Sequence, residues 1–204
     1  VTHAEPDNTK SNSIPMEPWT TAWDAIGDLD HMTHDDLCMT GRWADLLPSI
    51  PEGKNYLHHT NRGDGEPLFG WRTRYWSFLL KLAKNRPSWT IQAQPGNAIG
   101  PFHWRNRRLS MRELCRLQTI PDSYHVLGGI SEVQRQLGNA VPSLIGEVLG
   151  REIRTQFFGH EISSPLVLTT KINTQSYRRY PVRKVNKEYM SLLGDHEDHP
   201  GTGR

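Results

Sequence analysis

Residues 108–122 of this 204-residue chain read Arg-Leu-Ser-Met-Arg-Glu-Leu-Cys-Arg-Leu-Gln-Thr-Ile-Pro-Asp. Ser110 and Glu113 form a capping box, in which a hydroxyl and a carboxylate each bond a backbone N–H of the first helical turn. Leucines on either side of the box occupy the positions of a hydrophobic staple. The stretch therefore predicts a helix that begins at Ser110 and ends near Gln118, before Pro121.

A second motif follows at residues 135–142, which read Arg-Gln-Leu-Gly-Asn-Ala-Val-Pro. The pair Gly138-Asn139 is typical of a helix end, and Pro142 is tolerated in the first turn of the next helix. Residues 131–134, Ser-Glu-Val-Gln, form a second candidate capping box, which predicts where the preceding helix begins. The next helix should be buried on one side, because apolar residues recur at helical spacing: Leu144, Ile145, Val148, Leu149 and Ile153.

Three further segments have periodic patterns. Residues 72–84 repeat apolar side chains at i, i+3, i+4 and i+7 and predict an amphipathic helix. Residues 88–94 alternate weakly and contain β-branched and aromatic side chains, which favours a strand. Residues 19–29 predict a short helix, with Thr20 or Thr21 as its cap.

The segments between these elements are polar and rich in proline or glycine. Residues 1–18 predict an irregular lead-in, and residues 47–69 predict loops. In the last fifty residues the pattern weakens, and only residues 165–171 favour a strand. Residues 194–204 have the composition of a disordered tail.

The net charge of +2 conceals an uneven distribution. Residues 1–61 carry 3 basic and 10 acidic side chains, whereas residues 62–116 carry 11 and 3. Such a basic segment suits phosphate binding, although solvated helix and strand faces would give the same composition. The cations of this segment considered for phosphate binding are Arg62, Arg72, Arg74, Lys81, Lys84, Arg86, Arg105, Arg107 and Arg108.

Composition excludes several classes of protein. The two cysteines, Cys38 and Cys115, cannot form a disulfide scaffold and lack zinc-ligand spacing, so we expect a reducing, cytoplasmic location. Cys115 is best interpreted as a small core residue. No apolar run approaches the roughly 20 residues that span a bilayer, and the histidines lack convergent ligands, so we expect neither membrane nor metal binding.

In this order and spacing, the motifs at 108–122 and 135–142 closely resemble the last two conserved motifs of the cytosine-5 DNA methyltransferases. The segment Trp89-Thr90-Ile91 resembles the Thr-Ile element of that family's target-recognition domain. The resemblance covers roughly residues 2–154 and does not extend to the rest of the chain. It implies an enzyme that flips a cytosine out of duplex DNA and methylates its C5 atom with S-adenosylmethionine.

The resemblance also shows what this sequence lacks. In the family, a cysteine that follows proline is the nucleophile, a Glu-Asn-Val glutamate assists it, and a Phe-x-Gly-x-Gly loop holds S-adenosylmethionine. Here Cys38 follows Leu37, Cys115 follows Leu114, and the other elements do not occur. We therefore expect the C-terminal part of a bacterial restriction-modification enzyme, either a small subunit or a fragment, that is inactive without its catalytic half. The alternative is a non-catalytic DNA-binding module derived from such an enzyme.

For the fold, we expect mixed α/β structure in four parts. Residues 1–29 lead in from the catalytic domain, 30–105 form the target-recognition domain, 106–154 form the C-terminal catalytic segment, and 155–204 form an extension with a disordered tail. The catalytic segment would contribute helices to a Rossmann-like, S-adenosylmethionine-dependent domain whose sheet lies largely outside this chain. Without that sheet the helix face of Leu144 and Val148 would be exposed, which predicts poor stability.

Two sets of site residues follow. A turn before a helix N-terminus suits the carboxylate of S-adenosylmethionine, although an ordinary helix cap would have the same sequence. The resemblance likewise implies that Asn139 and Ala140 line this cofactor's pocket. The candidate cofactor residues are Gly138, Asn139, Ala140 and Val141. The candidate contacts to double-stranded DNA are Arg72, Arg74, Thr90, Gln92, Gln94, Arg105, Arg107 and Arg108. An equally good interpretation of Arg108 and Arg112 is that they tie the two domains together.

Overall fold

The computed structural model describes residues 3–4, 17–32, 35–71, 74–94 and 96–194. Its α helices are α1 (Ala22–Ile26), α2 (Met111–Leu117), α3 (Ile130–Asn139) and α4 (Ser143–Phe158). Short 3-10 helices cover Gly27–Leu29, Asp35–Leu37, Ala44–Ser49, Tyr56–His59 and Lys187–Leu192. None of the described helices is both long enough and apolar enough to cross a bilayer.

Strand structure is confined to one small pair within the described ranges. Strand β1 (His3–Ala4) pairs in parallel with β2 (Glu17–Pro18), with His3 opposite Glu17. The described part of the chain is therefore mostly helical and irregular. The expected mixture of helix and sheet is reduced here to two residues per strand.

The strands predicted at 88–94 and 165–171 are wrong. In the first segment, the carbonyl of Gln92 accepts a hydrogen bond from the Gln134 side chain of α3, at 3.2 Å. In the second, the Glu147 carboxylate of α4 accepts from two backbone amides of residues 167–168. Both segments therefore satisfy backbone groups with helix side chains instead of a neighbouring strand.

The helices predicted around residues 19–29 and 110–118 are confirmed. Thr21 caps α1, which continues into the 3-10 turn at Gly27–Leu29. At α2, the Ser110 hydroxyl accepts from the Glu113 amide, and the Ser110 amide donates to the Glu113 carboxylate at 2.8 Å. Helix α2 contacts both α1 and α3.

The boundaries of α3 and α4 are confirmed in part. Helix α3 ends at Asn139 as predicted, but its N-cap is Gly129, so Ser131 lies inside the helix and the second capping box is wrong. Helix α4 begins directly after Pro142 and ends where Gly159 adopts a left-handed conformation with φ of 64°.

The predicted one-sided burial of α4 is wrong within this chain, since no residue of α4 is buried. The expected exposure of Leu144 and Val148 is also wrong, since both are half-buried, on the side where Glu147 and Arg151 of α4 bond to residues 165–168. The open face is the neighbouring one, where apolar side chains are exposed at a spacing of four: Ile145, Leu149, Ile153 and Phe157.

The amphipathic helix predicted over 72–84 is also wrong in the residues described, 74–84. Its backbone groups bond to the segment 96–102, as in the pair Leu79 amide to Ala98 carbonyl at 2.9 Å. Leu79 itself has a φ of 53°, outside the helical region. Consecutive side chains are buried here, which a one-sided helix does not allow: Phe78, Leu79, Leu80, Lys81 and Leu82.

Two hydrophobic clusters organise the molecule. The helical core joins α1, α2 and α3 to three long-range partners, Leu82, Ile91 and Trp104. The loop core lies among the irregular segments and contains Met39, Leu46, Leu47, Ile50, Tyr56, Leu68, Phe69, Phe78, Leu79, Phe102 and Tyr189.

Residues 160–194, here called the strap, run across both cores. Tyr180 packs against the helical core, and its hydroxyl donates to Asp30 at 2.9 Å. Tyr189 is buried in the loop core, where it stacks on Trp43 and donates to the carbonyl of Arg42 at 2.7 Å. The strap is therefore an integral part of the fold. Residues 195–204, which include most of the predicted disordered tail, lie outside the described residues.

Candidate functional site

The junction of α3 and α4, residues 138–142 and here called the turn, includes the last two residues of α3 and is fixed by the end of α2. The Gln118 side chain donates to the Leu137 carbonyl at 2.5 Å, and the Gln118 carbonyl accepts from the Ser143 amide at 3.0 Å. The Thr119 hydroxyl accepts from the Leu144 amide at 2.8 Å. The first motif thus positions the second. We missed this role of Gln118 and Thr119 in the sequence, because contacts over twenty positions have no local pattern.

Segment 88–94 lies directly against the same turn. A Cβ atom on Gly138 would lie 2.4 Å from the Ala93 nitrogen and 2.5 Å from its Cα, closer than real contacts allow. Only glycine permits this approach without displacing backbone. The nearby side chain of Gln134 donates to the Gln92 carbonyl. The candidate cofactor turn and the candidate base-reading segment are therefore one packed unit.

The exposed part of this turn consists of Asn139, Ala140 and Val141. The expectation that the N–H groups at the start of α4 are free is wrong, because those groups have internal partners. The Gln118 carbonyl and the Thr119 hydroxyl accept hydrogen bonds from the amides of Ser143 and Leu144. The Pro142 carbonyl accepts from the amides of the next two residues. Among the described residues, nothing accepts from the Val141 amide.

The candidate DNA contacts differ in accessibility. Gln92 and Arg108 are half-buried, and Arg108 donates to the exposed Asn97 amide at 3.2 Å. Arg72 lies outside the described residues. The candidates with exposed side chains are Arg74, Thr90 and Gln94.

Arg107 is committed to an internal ion pair. Its guanidinium donates to both carboxylate oxygens of Glu113, at 2.7 and 2.8 Å, and to the Arg108 carbonyl. Arg107 is 7% exposed and Glu113 is fully buried. Such a planar two-bond pair fixes geometry as well as charge, here between the irregular region and α2.

Arg105 makes a similar pair with Asp30, its Nε lying 3.0 Å from Oδ1. Trp104 and Tyr180 also donate to this carboxylate. Burial acts to raise the pKa of Asp30, but the hydrogen bonds from Arg105, Trp104 and Tyr180 outweigh burial and leave the pKa lowered. Asp30 therefore stays ionised and connects the chain near α1 to the strap.

Lys81 and Lys84, considered for DNA binding from the sequence, are buried instead. Burial lowers the pKa of Lys81 to about 7, and its ammonium donates to the Ile50 carbonyl and to Asn106. Lys84 pairs with Glu52 at 2.5 Å. Neither ammonium faces solvent, so neither is available to phosphates.

The cysteines differ in environment. Cys115 is buried in the helical core, as predicted, and burial raises the pKa of its thiol. A raised pKa disfavours the thiolate that nucleophilic attack requires. Cys38 is exposed. In the part of the chain that the structure describes, no three His, Cys, Asp or Glu side chains converge on a metal position.

Residues 31–155 match the family of C-5 cytosine-specific DNA methylases. Type II methyltransferase M.SacI of Streptomyces achromogenes is 42% identical over 149 residues, 68% of this chain and 38% of that protein. Type II methyltransferase M.NgoFVII of Neisseria gonorrhoeae is 31% identical over 143 residues, 69% of this chain and 37% of that protein. DNA (cytosine-5)-methyltransferase 1A of Oryza sativa subsp. japonica is 32% identical over 117 residues, 56% of this chain and 7% of that protein.

The chain thus spans less than two fifths of the length of the two bacterial relatives. The family match includes all of α2 and α3 and the turn that joins α3 to α4. Because the match covers more than half of its residues, this chain belongs to the C-5 cytosine-specific DNA methylase family.

Proposed function

We propose that this chain supplies DNA target recognition and part of the S-adenosylmethionine pocket to a DNA (cytosine-5) methyltransferase. The observation that carries the proposal is the contact between Gly138 and Ala93, which packs the cofactor turn against the base-reading segment. A single packed unit can hold a target base and a methyl donor in a fixed relation. Fixed geometry of this kind is a principal source of rate enhancement.

The exposed turn fits one wall of a cofactor site. Asn139 offers an amide with two donors and an acceptor, and the open Val141 N–H offers another donor. These groups suit the charged methionine end of S-adenosylmethionine, with the small side chain of Ala140 leaving room beside them and Gly138 packing the turn against Ala93. The cofactor supplies the methyl group, and the remaining walls of the pocket belong to the catalytic part of the enzyme.

The DNA surface in this proposal consists of exposed side chains of segment 88–94, which packs against the turn, together with the exposed Arg74. Thr90 and Gln94 reach base edges, since glutamine suits adenine, and Arg74 suits guanine or phosphate. Gln92 and Arg108 complete the described part of this surface, and Arg72 is a further candidate contact from the sequence. Extrusion of the target cytosine follows from the reaction, because C5 and C6 are not open to attack inside a stacked duplex.

Arg105 and Arg107 have a different role in this proposal. Their guanidinium groups are engaged with Asp30 and Glu113, so we assign them to positioning the DNA surface on the helical core. Breaking either pair to reach a phosphate would leave a partly or fully buried carboxylate without its partner.

The proposal assigns the nucleophile to a catalytic part beyond these residues. Cys115 is buried with a raised thiol pKa, and neither cysteine follows a proline. The open apolar face of α4 is the proposed docking surface for that part.

The cofactor assignment is tested with Asn139→Ala in the assembled enzyme, by equilibrium dialysis of labelled S-adenosylmethionine. We expect weaker cofactor binding with unchanged DNA binding. Asn61→Ala is the matched control, because Asn61 is also an exposed asparagine but is distant from the turn in sequence, and its backbone amide bonds to the Gly70 carbonyl. Unchanged cofactor affinity in Asn139→Ala would exclude the assignment.

The DNA assignment is tested by titrating duplex DNA at several salt concentrations. Arg74→Ala should lower the affinity for duplex DNA and make the salt dependence of that affinity shallower, because fewer counterions are released on binding. Arg154→Ala, an exposed cation on α4, should change neither quantity. DNA binding without methyl transfer in the assembled enzyme would favour the non-catalytic binding module.

A further inference from the structure

A groove of about 520 Å³ opens between residues 51–54, residues 76–89 and the strap. Trp76 and Trp89 line it and meet edge to face, with ring centroids 5.5 Å apart. Trp76 is 46% exposed and Trp89 is 38% exposed, although residues close to them in the sequence are buried in the two hydrophobic cores. The volume falls within the range of ligand pockets, roughly 300–1,000 Å³.

Cations surround the two indoles. Lys54, Arg86 and Arg179 line the groove with exposed side chains, and none has an ion-pair partner within the described ranges. The acidic residue in the wall is Glu52, whose carboxylate is paired with buried Lys84. The groove therefore presents uncompensated positive charge beside aromatic surface.

This combination matches the chemistry of one nucleotide. Nucleobases stack on indole rings whatever their sequence, and phosphates pair with lysine and arginine. The groove also adjoins the proposed DNA surface, since Trp89 precedes Thr90 and Trp76 lies two residues after Arg74. A base inside a duplex is stacked on its neighbours, so an unstacked nucleotide is the one with a free face for these rings.

We propose that this groove binds an unstacked nucleotide of DNA next to the bound duplex, its base against Trp76 and Trp89 and its phosphates against Lys54, Arg86 and Arg179. The proposal rests on the proposed function, because it requires that the chain binds DNA. It adds a second contact site, partly built by the strap, which the family match does not include.

The test compares two fluorescently labelled duplexes of equal length, one fully paired and one with a single bulged thymidine, by anisotropy with the 204-residue chain. We expect the bulged duplex to bind about tenfold more tightly, in line with the stacking of one base on an aromatic pair. Trp76→Ala and Trp89→Ala should abolish this preference and leave binding of the paired duplex unchanged. Tyr75→Ala, which removes the 83% exposed neighbour outside the groove, should keep the preference.

A second pair of variants avoids any change in aromatic packing. Arg179→Gln should reduce the preference for the bulged duplex, whereas Arg178→Gln, its exposed neighbour outside this groove, should not. Equal affinity of the unmodified chain for both duplexes would overturn the groove proposal and leave the proposed function standing. Failure to bind either duplex would instead overturn the proposed function. If Trp76→Ala or Arg179→Gln lost the same affinity for both duplexes, the groove proposal would also be overturned.

Discussion

Glu113 serves two parts of the structure at once. Its carboxylate caps the Ser110 amide at 2.8 Å and receives both guanidinium nitrogens of Arg107. Both interactions are shielded from water, since Glu113 is fully inaccessible to solvent. The capping role was predictable from sequence because it is local, whereas the ion pair depends on burial that only the fold provides.

Replacing Glu113 with Gln should destabilise the chain by about 3–5 kcal/mol, because it leaves the buried Arg107 charge without a counterion. Urea unfolding followed by circular dichroism measures this change. Glu132→Gln is the control, since its pair with Arg135 is exposed on α3 and should contribute little. Equal effects of the two changes would contradict the buried-pair interpretation.

His59 is a second buried polar residue with a measurable consequence. Its Nδ1 lies 3.1 Å from the Glu66 carbonyl and its Nε2 lies 2.7 Å from the Ser49 hydroxyl. Burial, together with the neighbouring His58, lowers its pKa from 6.5 to about 4. The folded chain therefore holds His59 neutral in a range where the unfolded chain protonates it.

The unfolded state thus binds more protons between pH 6.5 and 4, so stability decreases as pH falls through this window. From pH 7 to pH 5 the loss due to His59 should be about 2 kcal/mol. His59→Gln should remove this part of the pH dependence in urea unfolding at the two pH values. The same loss in the variant as in the unmodified chain would show that His59 is not its source.

At the level of elements, the contact of α3 with segment 88–94 depends on Gly138. Gly138→Ala places a methyl group 2.4 Å from the Ala93 nitrogen, so either the helix or the segment must move. We expect a lower free energy of unfolding and weaker binding of both cofactor and DNA in the assembled enzyme. Calorimetry and the two binding assays measure these effects.

Gly146→Ala is the matched control for this change. Gly146 lies inside α4, and a Cβ there would meet nothing within 4 Å. Alanine should raise helix stability by about 0.5–1 kcal/mol at such a position. If Gly138→Ala behaved in the same way, the close packing of turn and segment would be refuted.

The open face of α4 gives a prediction about association. Ile145, Leu149 and Ile153 are about half exposed and lie along one side of the helix. Changing all three to Gln should reduce self-association of the chain in sedimentation velocity and abolish joining to the catalytic part. Arg154→Gln, on another side of α4, should affect neither. Normal assembly of the triple variant would contradict the docking role of this face.

Residues 72–84 show why some elements could not be predicted from sequence. Their apolar spacing fits a helix, yet their cations at 81 and 84 are buried and paired with groups far along the chain. A helix predicted from apolar periodicity assumes that the charged side chains face solvent. By contrast, α1 and α2 were predictable because their caps are formed by residues three positions apart.

For the whole molecule, the strap is the feature with no sequence signal. Its contacts are long-range, such as Tyr180 with Asp30 and Tyr189 with Trp43. The two family motifs, in contrast, led directly to the turn at 138–142 because they are local runs of residues. The position of this turn was therefore predictable, but the internal partners of its amides were not.

Tyr189→Ala should destabilise the chain by about 3–5 kcal/mol, because it removes a buried aromatic ring from the loop core. Thermal and urea unfolding measure the loss. Tyr124→Ala, which removes a 63% exposed ring, is the control and should have a small effect. Equal stability of the two variants would mean that the strap does not hold the loop core.

The most direct measurement uses a chimera in which this chain replaces the matching 149-residue stretch of M.SacI. Labelled S-adenosylmethionine and duplex DNA are supplied, and the modified nucleoside is identified by mass spectrometry, with unmodified M.SacI as the assay control. We predict that the chimera forms 5-methylcytosine, and that Asn139→Ala within it raises the cofactor concentration required. A folded chimera that binds DNA but forms no 5-methylcytosine would contradict the proposed function.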